Sequence, residues 1–434
     1  MTLSLRYGTS RLQLKVRDDF IARQVDLRNS PALCSAKKTA EGRVKIAIDE
    51  LAGAFFFDTL AEKHLGLLIS DATRLESRRT VLEPLFLRLS AAKSITIYLC
   101  TGTHDPNMPE NVELAAYVGE LAAACDTIVR VEVHDARKNT FDDYGTTSRG
   151  TLVEIAASTR ECDLFLVVSD LKTHYFAGYS NPLKNYLPGL ASLAAVRANH
   201  AFALHRLAAC GRHPWHPDTA RRANPIAEDM LEAFKLFVGD RPHFAFCTLT
   251  GSAGIEWAGG GTTQAVTTRG LAVVDERRMI GVCPERYLIV SAGGHPLDES
   301  LYTAQRALEL TRAGVSPGGE VLFLAECNNG IGPPSARANF FERLQPPLDE
   351  VLRGLEEEYV LYSHKAWKFA DYLTGVERVS LLSSLSDTDV ASIHLTPVDA
   401  GGAQAVVDRW QREAGPSDRV LVVDDASKLA LVPE

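Results

Sequence analysis

Unbroken apolar runs of about four to seven residues recur along this chain, spaced by stretches with helical periodicity, which is the pattern of parallel strands covered on both faces. The runs predict strands at Leu65–Ile69, Ser94–Cys100, Ile128–Val133, Leu164–Val168 and His243–Leu249. A second set follows at Tyr287–Ser291, Val321–Leu324, Tyr359–Tyr362, Val379–Leu382 and Val420–Val423. Helices are predicted over Glu110–Cys125, Pro225–Phe237, Glu299–Ala313 and Ala403–Glu413. The alternation defines an α/β fold, and 434 residues exceed what one core holds. The expectation is two α/β domains with mostly parallel sheets facing across a cleft. The stretch from Gly251 to Arg286 is rich in Gly, Thr and Ala, and its Trp257–Thr263 part reads as unable to pack a regular core. The boundary is therefore expected near it, giving domains 1–270 and 271–434.

Composition narrows the function. Hydrophobic residues make up 46% and charged residues 23%, as in an ordinary soluble protein. A net charge of -9 and the lack of a basic run argue against nucleic acid as a partner. No segment approaches the ~20 apolar residues of a membrane span. The start, Met1 to Arg6, lacks the features of a secretory signal. The eight cysteines are scattered singly and read as reduced, buried residues. A cytoplasmic location is expected, and oligomeric state is not legible.

The candidate chemistry sits where predicted strands end. Behind Leu164–Val168 comes a segment holding His174, Lys184 and His200, bent by Gly178, Pro182, Pro188 and Gly189. Asp71, Thr73 and Arg74 follow Leu65–Ile69, and Thr101–Asp105 with His104 follows Ser94–Cys100. Gly293–Asp298, then Tyr302 and Arg306, follow Tyr287–Ser291, and Ala325–Gly332 follows Val321–Leu324. Parallel strands would gather these loops at one edge of each sheet, where open α/β proteins bind ligands. Taken singly, a histidine after a strand is more often structural, and Arg74 could simply pair with Asp71. Five polar loops after five strands weaken that reading. The Gly-rich loops match neither the P-loop nor G-x-G-x-x-G, which counts against a nicotinamide-dependent dehydrogenase. Cys210-x-x-His213-x-x-His216 offers an alternative, a zinc site in a metal-dependent hydrolase.

Taken together, these motifs resemble the nickel-pincer-nucleotide lactate racemase family. The resemblance rests on D-x-T-R at 71–74, T-G-x-H at 101–104 and the run from His174 to Gly189. Asn199-His200, Asn224-Pro225, the run from Gly293 to Asp298, the A-E-C-x-x-G-x-G run at 325–332 and Trp367 extend it. It implies a pyridinium mononucleotide holding nickel through two sulfur arms and a carbon. Lys184 would tether this cofactor and His200 would supply a metal ligand. His104 and His174 would be the acid/base pair, with Arg74 beside the substrate. Asp71, Thr73, Phe176, Gly178, Ser180 and Pro188 would line the cofactor; Tyr302, Thr303, Arg306 and Trp367 would bind substrate. Cofactor-synthesis proteins are implied as partners. A non-catalytic relative that only binds the cofactor is the competing member of the same family.

The residue types suit the implied reaction. Racemising a 2-hydroxy acid requires breaking an unreactive C–H bond, which is easier as hydride loss coupled to departure of the hydroxyl proton, through a 2-keto acid. Histidine can both accept and return that proton, and arginine can hold a carboxylate bidentately. Imidazole is a good Ni(II) ligand. Thr303 and Arg306 stand where the family usually carries Gln and Lys, so a 2-hydroxy acid other than lactate is expected.

Overall fold

The computed structural model describes residues 1–26, 39–73, 76–125, 127–251 and 254–434. The chain divides into two compact units, one formed by Ala32–Arg277 and the other by Met1–Pro31 with Arg278–Glu434. The mixed α/β architecture with mostly parallel sheets is the one expected.

The first unit is built on a six-stranded sheet. Its order is Gly254–Thr262, His243–Gly251, Leu164–Asp170, His64–Ser70, Ser94–Cys100 and Ile128–Val133. Every neighbouring pair is parallel except the edge pair Gly254–Thr262 and His243–Gly251. Leu164–Asp170 is buried along its whole length, as an unbroken run of apolar residues between two helical layers requires. The order of connection reverses between His64–Ser70 and Leu164–Asp170, and a reversal opens a crevice at the strands' carboxyl ends. A two-stranded hairpin, Lys172–His174 with Gly178–Ser180, grows from that end and sets His174 opposite Gly178.

The Gly-rich stretch differs from expectation. Gly254–Thr262 is a regular edge strand and Thr263–Arg278 a helix. The glycines serve contact rather than disorder. A Cβ on Gly260 would lie 2.1 Å from the carbonyl oxygen of Ala47, so only glycine lets the helix Ala40–Gly53 pack this close to the sheet.

The second unit carries a six-stranded, all-parallel sheet. Its order is Thr396–Val398, Arg378–Leu382, Val315–Leu324, Glu285–Ser291, Val420–Val423 and Ile21–Val25. The last strand explains why the first residues of the chain belong here and not, as a 1–270 domain implies, with the residues that follow them. Ile21–Val25 hydrogen-bonds along Val420–Val423, and the N-terminal hairpin Thr2–Tyr7 with Ser10–Lys15 packs Leu3, Leu5 and Leu14 into the same core. The division at Arg277/Arg278 falls close to the boundary expected near 270.

Two further elements depart from the pattern. Tyr359–Tyr362 is not a strand: it turns into the helix His364–Thr374, with the Ser363 hydroxyl bonded to the Val360 carbonyl at 2.6 Å. The helix expected over Glu299–Ala313 is split into Leu301–Ala304 and Arg306–Leu310, followed by a 3₁₀ turn at Arg312–Gly314. No helix among the described residues is long and apolar enough to cross a membrane.

Candidate active site

Three of the expected loops meet at the carboxyl edge of the first unit's sheet. Asp71 is almost fully buried just past His64–Ser70, and His104 follows Ser94–Cys100. His104 Nδ1 lies 2.7 Å from Asp71 Oδ2. Asp71 is itself fixed by the Thr73 hydroxyl, which donates to Oδ1 at 2.8 Å, and by the Arg78 guanidinium on its backbone carbonyl. A carboxylate facing Nδ1 holds the proton there and leaves Nε2 as the basic nitrogen. The ring is 41% exposed, so that nitrogen can be reached by a small molecule.

His174 is set the other way round. The Ala177 backbone N–H donates to its Nδ1 at 3.2 Å, so a neutral ring carries its proton on Nε2. Lys184 Nζ sits 2.9 Å from that Nε2. The two rings thus carry their protons on opposite nitrogens.

Phe176 joins these groups. Its ring meets His174 edge-on at 4.5 Å, lies 5.7 Å below the Lys184 ammonium position and meets His200 at 5.7 Å. His200 lies in the last turn of the helix Leu193–Ala201, whose N-cap is the Ser192 hydroxyl. Desolvation first, and then the Lys184 charge with a smaller push from His104, lower its pKa to about 3. His200 therefore stays neutral, with a lone pair available, at any ordinary pH. This is the form that ligates a metal, and a half-buried neutral imidazole beside an amine and an aromatic face fits the nickel-bearing pyridinium implied by the motifs.

The segment between these residues is held by close backbone approaches. Gly178 has φ +78°, and a Cβ there would overlap the Arg212 carbonyl oxygen. The Gly102 N–H bonds the Gly189 carbonyl at 3.1 Å, tying the His104 loop to the residues behind Pro188. Ser180 is buried and faces Lys172 across the hairpin.

Sequence reasoning missed the support behind the hairpin. Asp275, on the helix Thr263–Arg278, accepts from the Tyr179 hydroxyl, from His216 Nε2 at 2.8 Å and from Arg221 Nη1 at 2.5 Å. Burial alone would raise the pKa of Asp275, but the donors His216, Tyr179 and Arg221 outweigh it and lower it. Asn224 caps the helix Pro225–Val238, and its amide donates to the Phe176 carbonyl at 3.0 Å. The Asn224-Pro225 pair was the one available signal for the second anchor.

The zinc alternative finds no ligand cluster here. His216 is committed to Asp275, and His213 Nδ1 accepts from the Trp215 N–H at 3.1 Å. Among the described residues no group of three or more His, Cys, Asp or Glu side chains is arranged to hold a metal ion.

In the second unit the loop after Glu285–Ser291 leads to Tyr302, Thr303 and Arg306, all half-buried. Thr303 serves the helix start: its N–H and hydroxyl both meet the Ser300 hydroxyl. Trp367 is buried and donates Nε1–H to Glu356 at 3.1 Å. Arg74 lies outside the described residues.

Buried histidines away from the site set an acid limit on stability. Desolvation, aided by the His216 charge, lowers His213 to about 3. Desolvation, opposed by the Ala191 carbonyl and Asp135, lowers His134 to about 4. Unfolded histidine titrates near ~6.5, so the unfolded chain binds more protons between that value and the folded ones. Their contribution is complete above pH ~6.5 and falls by about 1.4 kcal/mol per imidazole per pH unit below it. Denaturant melts at pH ~7.5 and ~5.5 should differ by about 3 kcal/mol from these two groups, and His213→Phe should flatten the slope.

Comparison with known proteins agrees with this picture. The lactate racemase N-terminal domain pattern matches residues 7–211. The lactate racemase of Thermoanaerobacterium thermosaccharolyticum is 26% identical, covering 100% of this chain and 97% of that protein. The lactate racemase of Lactiplantibacillus plantarum is 22% identical, covering 98% of each. Among solved structures, the lactate racemase apoprotein from T. thermosaccharolyticum superimposes with a TM-score of 0.83 at 24% identity, over 100% of both chains. A crystal structure of a protein from Thermotoga maritima gives a TM-score of 0.64 at 14% identity, over 91% of this chain and 98% of that one. These solved structures share the fold of this chain. The chain resembles these lactate racemases over its whole length.

Proposed function

We propose that the chain racemises or epimerises a 2-hydroxy acid by proton-coupled hydride transfer through a 2-keto acid, using a nickel-pincer nucleotide. The observation that carries this reading is the opposite polarity of two histidines beside one neutral imidazole. Asp71 leaves His104 a free basic Nε2, while Ala177 leaves His174 a proton on Nε2. Phe176 meets both His174 and His200 edge-on, which supports reading them as one site.

When bound, the cofactor would supply hydride-accepting chemistry for C2 of the acid. The protein's part is proton handling and grip. One histidine removes the hydroxyl proton as the C–H bond breaks, giving the keto acid. The other returns a proton to the opposite side, so the second enantiomer leaves. Two bases are needed because the hydroxyl points to different sides in the two enantiomers. Lys184 would be the tether and His200 the metal ligand, and Phe176 and Pro188 would line the cofactor. Asp71 and Thr73 orient His104. Gly178 and Ser180 keep the hairpin close, and Arg74 or Arg306 would hold the carboxylate.

The test is to produce the protein together with the cofactor-synthesis proteins and measure intact mass, nickel content and loss of optical purity across chiral 2-hydroxy acids. Added mass on Lys184, one nickel per chain and racemisation of at least one acid are expected. Loaded protein that is inert toward every acid overturns the reading.

A further inference from the structure

The first unit's sheet ends at an open edge. Among the described residues Ile128–Val133 pairs with Ser94–Cys100 alone, so its other side presents backbone N–H and C=O groups to a further strand. Val129, Val131 and Val133 pack on the core, which the helix Pro109–Ala123 covers. Ile128, Arg130 and Glu132 alternate with them and share the other face, where Ile128 is 69% exposed. The helix is apolar along one flank. Its Tyr117 turns toward the preceding helix Arg78–Phe86, where Arg79 lies over the ring at 4.2 Å. The opposite flank is Val112, Ala115, Gly119 and Ala122, spaced three and four apart, and none of the four is buried. A Cβ added to Gly119 would meet nothing within 4 Å.

We propose that a second copy of this chain pairs antiparallel along Ile128–Val133, about a two-fold axis at Val131, and packs its helix Pro109–Ala123 against this one. Charge sets the register. Residues facing each other across antiparallel strands point the same way, so the valine face must meet the valine face. Centring on Val131 then puts Arg130 opposite the partner's Glu132, and the two-fold repeats the pair on the other side of the axis. Centring on Arg130 would set two arginines face to face. The same register brings the partner's exposed Ile128 to the far end of the strand. There a cavity of ≈ 300 Å³ lies beside Glu132 and Val133, walled by Thr140, Ala156 and Ser158. One protruding side chain and one hollow, at opposite ends of one strand, are what an isologous contact joins. Six paired residues alone make a small interface, and the small side chains on the two helix flanks let the helices approach closely enough to supply the rest.

The experiment is sedimentation velocity with light scattering on the full-length protein, from about 1 to about 100 μM. Twice the chain mass is expected. Arg130→Glu replaces two opposite-charge pairs by two like-charge contacts and should weaken the dimer about a hundredfold, while Arg130→Glu combined with Glu132→Arg should restore it. Gly119→Arg should give a monomer whose melting temperature is unchanged or raised, because the single chain has room for the side chain and glycine is a poor helix former. Thermal melts confirm that each variant is folded. A monomer at every concentration overturns the proposal. So does a dimer that survives Arg130→Glu or Gly119→Arg in folded protein, since its contact would lie elsewhere. The outcome does not depend on cofactor loading, so the racemase reading stands or falls separately.

Discussion

Replacing His104 by Gln should cost about a thousandfold in racemisation, the scale of one positioned acid/base group, while leaving nickel content unchanged. The same loss is expected for His174→Gln, but the two variants should differ in what they retain. Interconversion in either direction uses both rings, so both variants stop it. The first half of the reaction uses only one. His104→Gln should still form keto acid from one enantiomer, and His174→Gln from the other, detectable by trapping with a hydrazine. The bond to Asp71 separates chemistry from architecture. Asp71→Asn keeps the shape but presents an amide where the ring needs an acceptor, so Nδ1 loses its fixed proton. A loss of about a hundredfold or more is expected, with little change in melting. Should His104→Gln lose its nickel, the ring would be serving the metal and not the proton.

Much of this site was legible because strand ends are legible. Leu164–Asp170 and Ser94–Cys100 announce themselves as apolar runs, and His174 and His104 follow them directly. Sequence placed these histidines on loops after parallel strands, and the sheet order then explains why those loops meet: the connection reverses beside His64–Ser70. Pairings across long separations were not legible. Asp71 and His104 are 33 residues apart, and Tyr179 and Asp275 are 96 apart. Neither spacing carries a periodic signal. Ile21–Val25 escaped because its polar middle, Ala-Arg-Gln, belongs to an edge strand with exposed residues. Gly254–Thr262 escaped for the opposite reason. Its glycines lower strand propensity, yet the close packing of Ala40–Gly53 demands them.

The second large effect concerns His200. His200→Ala should abolish nickel retention in protein produced with the cofactor pathway, and racemisation with it. Desolvation sets the state of this ring. An imidazole held to about 3 cannot be a proton donor or acceptor near neutral pH, because it never changes charge there. What it keeps is a neutral lone pair. A metal ligand gains from this, since no proton must be displaced before the bond forms. Metal retention should therefore stay flat as pH falls from ~7 to ~5, a range in which an ordinary histidine ligand would lose it to protonation. Lys184→Ala gives the complementary result: no covalent mass on the chain, yet nickel that survives mild desalting if His200 still holds it. Nickel retained in folded His200→Ala would remove this residue from the metal site and pass the ligand role to another group.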